Sequence, residues 1–193
     1  AAALSISLPL REEPYSAPET SRYFEGLLPE GFTRKTLAGF MHIEENNYLS
    51  ILAGLGRECL GALQILEDGA PFPEASYKKL SSGQVRQLAA EGNSAAVDLV
   101  VQSHLSLTGA SGKVGLYYNE ADQDWYLPLG TAPSTHIVKQ SHVRLNDIVT
   151  NEQLCMLTAR KLGITTPGSF IINLGSGKDE DVLLASRRYD REM

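Results

Sequence analysis

Two residues in the second half of the chain have types and spacing that fit a chemical task. Lys139 sits inside a β-branched run, Ser134–Gln140, and Glu152 lies in the segment that follows. On an alternating strand Lys139 shares a face with Ile137 and Thr135. Residues 146–162 read as a helix, and Ile148, Glu152, Cys155, Ala159 and Leu162 form one stripe along it. A carboxylate in an apolar stripe is costly unless paired. A strand amine facing a helix carboxylate removes that cost, and a lysine fixed this way is suited to gripping nucleotide phosphates. An ordinary sheet–helix salt bridge, or two exposed charges, would use the same residues.

Two further stretches bear on that chemistry. Ser106-Leu107-Thr108-Gly109-Ala110-Ser111-Gly112-Lys113 is a loop of small residues between two expected strands. Backbone N–H groups free of bulky side chains can approach phosphates, although a hairpin turn reads the same way. The spacing is neither a Walker A loop nor GxGxxG. Arg187-Arg188-Tyr189-Asp190-Arg191 closes the last strand. In a kinase-like sheet this is the adenine side, where Tyr189 offers an aromatic face; the alternative is a charged strand end. The four histidines and two cysteines have no metal-ligand spacing, so no metal site is expected. There is also no G-x-S-x-G elbow.

The elements that must position these residues follow from pattern. Residues 4–10 read as a strand end, 11–20 as a loop, and Ser21 as the cap of a helix carrying Tyr23, Phe24, Leu27 and Leu28. A second helix carries Phe32 to Met41, and a third starts at Asn46 or Asn47 and closes at Gly54 or Gly56. Residues 60–66 read as a strand, 67–75 as a linker, and Ser81 or Ser82 caps a short helix. Beyond it come a short strand at 104–107, a hairpin (113–119 and 124–129), the Lys139 strand, the long helix ending at Gly163, and strands at 169–174 and 181–186. That order makes an antiparallel sheet with one long helix packed on it, an α+β fold. The chain has 193 residues, 42% hydrophobic and 21% charged, a globular composition. Its net charge of −6 argues against a direct, sequence-independent grip on DNA or RNA. Apolar runs are too short to span a membrane, and no basic leader precedes Arg11, so a cytoplasmic location with two free thiols is expected. With no opening Met and with strands at both ends, both termini are expected to be cut.

The segments SLPL (7–10), FEGLLPEG (24–31), LGRECLGALQI (55–65), SLTGASGK (106–113), PSTHIVK (133–139), NEQLCM (151–156) and RRYDR (187–191) resemble the HipA-type serine/threonine kinase toxins of bacterial toxin–antitoxin systems. The resemblance implies an N-terminal α/β subdomain at 1–68, a linker with a short helix at 69–100, and a kinase N-lobe-like domain at 101–193. It implies ATP as cofactor, with Lys139, Glu152, Thr108, Gly109, Ala110, Arg187, Arg188 and Tyr189 on the nucleotide and Ser106 as the autophosphorylated serine. Phosphate on Ser106 would repel the nucleotide's own phosphates. The catalytic Asp and the Mg2+ ligands of the family are expected beyond Met193, so the chain alone is expected to be inactive. The implied partners are a HipB-like helix-turn-helix antitoxin, DNA only through that antitoxin, and a protein substrate such as an aminoacyl-tRNA synthetase. A non-catalytic module that binds an antitoxin or a separate kinase chain is the competing expectation. The loop departs from the family's GAQxK pattern, and Arg187 stands where relatives often carry an acidic or small polar residue.

Overall fold

The computed structural model describes residues 3–59, 63–91, 99–102, 107, 112–141 and 145–191, with backbone alone for 89–91. Three helices open the chain: α1 (Ala17–Glu25), α2 (Gly31–Phe40) and α3 (Tyr48–Leu55). The start of α1 differs from the expected Ser21 cap. Ser16 is the cap, and its N–H and hydroxyl donate to the Glu19 carboxylate at 2.8 and 2.7 Å. Pro18 is no obstacle there, because first-turn N–H groups have no helical partner. The expected third helix is found, capped by Asn47 Oδ1 on the Ser50 N–H at 3.1 Å and ended at Gly56.

Two strands expected in this half are absent from its described residues. Residues 4–10 hold a tight turn closed by one bridge between Ser5 and Leu8. The Ser5 hydroxyl accepts from the N–H groups of Ser7 and Leu8, both at 3.1 Å, a local bond that competes with strand pairing. Of the 60–66 stretch, residues 63–66 are described and form no strand. They fold back on the end of α3, with Cys59 N–H on Leu63 O at 3.2 Å and Ile65 N–H on Gly56 O at 2.7 Å.

The remainder is one antiparallel sheet: β1 (Ser76–Lys79), β2 (Lys113–Asn119), β3 (Asp124–Leu129), β4 (His136–Lys139), β5 (Ser169–Asn173) and β6 (Val182–Arg187), in the order β1-β3-β2-β4-β6-β5. This part of the chain also holds α4 (Ser82–Glu91) and α5 (Ile148–Lys161). Strand β1 was not expected; its four residues are all exposed, so they carry no alternation to read. It is an edge strand held by β3, with the Tyr77 hydroxyl on Pro133 O at 3.0 Å. β2 divides its pairing, 113–116 with β4 and 117–119 with β3. The expected strand at 104–107 falls almost entirely outside the described residues.

The sheet is covered on both faces. Val114, Leu116, Val138, Leu183 and Ala185 share one continuous core with Leu28, Leu37, Ile51 and Leu55 of the opening helical region and with Leu88 of α4. On the other face Val182 and Leu184 meet Val149 of α5, with Ile148 and Ile171 alongside. α5 is rotated from its expected stripe. Cys155 is exposed and Leu162 is 74% exposed, whereas Val149 is buried and Glu152, Gln153 and Met156 are half-buried. The helix rests on β5 and β6 at one side of the sheet, so a narrow strip of it turns inward.

Candidate functional site

β4 alternates cleanly. His136 and Val138 are buried, and Ile137 and Lys139 point to the opposite, half-buried side. α5 starts at Ile148 after Asp147, whose left-handed backbone (φ 58°) turns the chain into the helix. Glu152 then lies over the end of β4, and Lys139 Nζ donates to its Oε1 at 2.5 Å. The side chains are 24% and 33% exposed, so the pair is sheltered yet reachable.

A second cation belongs to this place. Lys113 stands directly opposite Lys139 in the β2–β4 register, so both project from one face. Burial pushes the Lys113 pKa below its ordinary value and the Lys139 charge adds to that, while Glu152 and Glu30 oppose it. In the sequence Lys113 reads as the close of the small-residue loop and the start of a hairpin strand. Its partnership with Lys139 depends on a register that no local pattern reveals. Two ammonium groups around one carboxylate form a cationic patch whose donors suit phosphate oxygens. Ser106, Thr108, Gly109 and Ala110 lie outside the described residues.

The strand end is built differently. Arg187 is exposed, opposite His136, and Tyr189 is 89% exposed. Arg188 turns its side chain inward, where it bonds Glu58, Ser134 and Asp190, and its N–H donates to Thr135 O at 2.8 Å. Burial works against the guanidinium charge, but the Asp190 hydrogen bonds and the charges of Glu58 and Asp190 raise its pKa above the usual arginine value. A cleft of about 650 Å³ opens beside this end, lined by Tyr117, Tyr118, Thr135, His136, Arg187 and Arg188 among others; Lys139 and Glu152 do not line it. Lys139 and the strand end are three residues apart along β4, about 10 Å, since His136 pairs with Arg187 and Lys139 with Leu184. His136 is a core residue, its Nδ1 bonded to Thr135 Oγ1 at 2.8 Å and its ring among Tyr118, Trp125 and Phe170. Burial, then Arg187, lowers its pKa. Among the described residues no group of three or more His, Cys, Asp or Glu could hold a metal ion, and no helix is long and apolar enough to cross a membrane.

The described residues thus form an α+β fold with a six-stranded antiparallel sheet and a Lys–Glu pair between strand and helix. Residues 1–66 match the HipA N-terminal domain, and residues 105–193 match the HipA-like C-terminal domain. The chain belongs to the HipA family. It is 33% identical over 168 residues to a protein of Sinorhizobium fredii named "Putative kinase Y4mE", a match covering 83% of this chain and 40% of that one. It is 26% identical over 189 residues to the serine/threonine-protein kinase toxin HipA of Shewanella oneidensis, covering 97% of this chain and 42% of the toxin. A solved structure of the Shewanella oneidensis MR-1 toxin–antitoxin system, HipA with HipB and operator DNA, matches with a TM-score of 0.78 at 25% identity; the match covers 100% of this chain and 43% of the other. The chain thus spans about two fifths of the length of these relatives.

Proposed function

We propose that this chain supplies the nucleotide-holding part of an ATP-dependent serine/threonine protein kinase of the HipA toxin type. The observation that carries this reading is the Lys139–Glu152 pair, with Lys113 beside it on the same face. ATP would supply the phosphoryl group transferred to a protein serine or threonine. In this reading Glu152 holds the Lys139 amine in place and Lys139 neutralises phosphate charge. The family resemblance assigns Thr108, Gly109 and Ala110 to the phosphates and Ser106 as the residue autophosphorylated, and Arg187–Tyr189 border the adenine. The stretch of about 10 Å from Lys139 to the strand end is comparable with the length of an adenosine and its first phosphate. Catalytic and Mg2+-binding carboxylates belong to the rest of the full-length protein, and the 193-residue chain alone is inactive. A HipB-like antitoxin is the proposed partner, on the strength of the HipA–HipB–DNA complex that the fold matches; contact with DNA runs through that partner, and the protein works in the cytoplasm.

The test is intact-mass spectrometry of the full-length protein incubated with ATP and Mg2+. One added phosphate is expected, lost in Ser106→Ala and in Lys139→Ala. Autophosphorylation that survives Lys139→Ala would remove the role given to that lysine, and phosphotransfer by the 193-residue chain would overturn its inactivity.

A further inference from the structure

Four charged side chains and a serine meet where the chain leaves β6. Glu58 follows α3, Ser134 precedes β4, and Arg188, Asp190 and Arg191 follow β6. Arg188 Nη1 donates to Glu58 Oε1 at 2.7 Å and to Ser134 Oγ at 2.9 Å. The Ser134 hydroxyl and N–H donate to that same carboxylate oxygen at 2.9 and 3.3 Å. The other side of the guanidinium forks onto Asp190 at 2.9 and 2.7 Å. Arg191 adds bonds to Glu58 at 3.3 Å and to the Cys59 carbonyl at 2.9 Å. The Arg188 side chain has 0% exposure and Glu58 11%.

Such a cluster is a poor source of net stability, because desolvating the charges cancels most of their attraction. It is a good source of orientation, because a guanidinium fork donates to carboxylates in one plane. What it orients is residues 187–191 against the end of α3 and the start of β4. The Arg188 N–H is bonded as well, so the main chain and side chain of one residue are fixed together. The neighbours on either side, Arg187 and Tyr189, remain exposed.

We infer that Glu58 is a positioning residue for the nucleotide pocket: by anchoring Arg188 it sets the segment Arg187–Tyr189, and so makes the N-terminal region a working part of ATP binding. This rests on the proposed nucleotide-binding function, and Glu58 itself touches no nucleotide.

The experiment measures autophosphorylation rate against ATP concentration in the full-length protein. Glu58→Gln keeps the shape and removes the charge. It is expected to raise the ATP concentration for half-saturation about tenfold, with the maximal rate within about twofold, since a displaced binding segment weakens binding before chemistry. Glu58→Asp, which keeps the charge, is expected to recover most of the affinity. Should Glu58→Gln fail to fold, Ser134→Ala removes the hydroxyl that bonds both Glu58 and Arg188 and carries the same expectation in smaller measure. An unchanged half-saturation, with or without a lower maximal rate, overturns the inference, because a purely structural role lowers the active fraction alone. Lys139→Ala run in parallel separates the two ideas. If it abolishes activity while the Glu58 variants bind ATP normally, the positioning role alone fails; if it is fully active, the nucleotide reading fails.

Discussion

Glu152→Gln should destabilise the fold more than Lys139→Met, although each removes one end of the same ion pair. The asymmetry comes from Lys113, directly across the β2–β4 register from Lys139. The Glu152 carboxylate bonds Lys139 at 2.5 Å and also draws the Lys113 pKa back up against burial and against Lys139. With Lys139 gone, Glu152 still faces a cation, and the repulsion acting on Lys113 disappears. With the Glu152 charge gone, two ammonium groups remain opposite each other, and Glu30 offsets this for Lys113 in part. A pair whose side chains are 24% and 33% exposed falls between surface and buried ion pairs, about 1–2 kcal/mol. A like-charge cross-strand pair adds a penalty of about 1 kcal/mol. Glu152→Gln is therefore expected to cost about 2–3 kcal/mol and Lys139→Met about 1 kcal/mol. Urea unfolding at neutral pH, followed by circular dichroism and by the fluorescence of Trp125, measures both. The gap should narrow in 1 M salt as screening weakens the repulsion, and Lys113→Met should recover about 1 kcal/mol in the Glu152→Gln background. Equal costs for the two single variants, or no recovery from Lys113→Met, would refute the reasoning.

Gly130→Ala should be severe, because Gly130 has φ 68° and an added Cβ would lie 1.9 Å from the Glu74 carbonyl oxygen. A loss of about 3 kcal/mol or more is expected in urea unfolding, against about 1 kcal/mol for Gly69→Ala, where φ is 74° and nothing lies within 4 Å. At pH 8 a thiol reagent should label Cys155 quickly and Cys59 only after denaturation, since Cys155 is exposed and burial, helped by Glu58, pushes the Cys59 thiol up to about 11. An acid whose folded pKa is raised contributes stability below its unfolded value of 9.0, and that contribution is lost as pH rises from there through about 11. An alkaline unfolding series should show the decline, and Cys59→Ala should lack this component. A truncation beginning at residue 101 should fail to fold alone, because the opening helical region and the sheet share one core. Dye binding to exposed apolar surface and poor dispersion in NMR would report it, and a cooperative unfolding transition would contradict it.

The parts legible in the sequence are those with a local signature. The β2–β3 hairpin shows as two alternating runs around a polar turn, and the Tyr118–Trp125 contact across it follows from the register. The end of α5 shows in Gly163, whose φ of 81° suits a helix stop. The Lys139–Glu152 pairing was legible because a strand, a turn and a helix in succession leave few arrangements, and a half-buried carboxylate needs a partner. What failed locally had local competitors. The Ser5 hydroxyl replaced strand partners at residues 4–10, and Ser16 with Glu19 built a helix start ahead of Ser21. Strand β1 had no pattern to betray it, because an exposed edge strand buries neither face.

The Glu58 cluster was illegible for a deeper reason. Its members lie at 58, 134, 188, 190 and 191, in three separate stretches of the chain, and periodicity carries no information about charges brought together from such distances. Burial is what gives these residues meaning, since an arginine with no exposed side-chain surface must be matched donor by donor. The same distance gives the cluster its consequence. The two matched HipA segments, 1–66 and 105–193, meet through a shared apolar core and again through this one neutral knot of charge. The core fixes that they touch, but apolar contact is nondirectional and tolerates sliding. The guanidinium fork does not, and so the charge cluster adds a directional tie between the strand end and the helices before it, beside the backbone bonds from the Arg187 and Arg188 N–H groups.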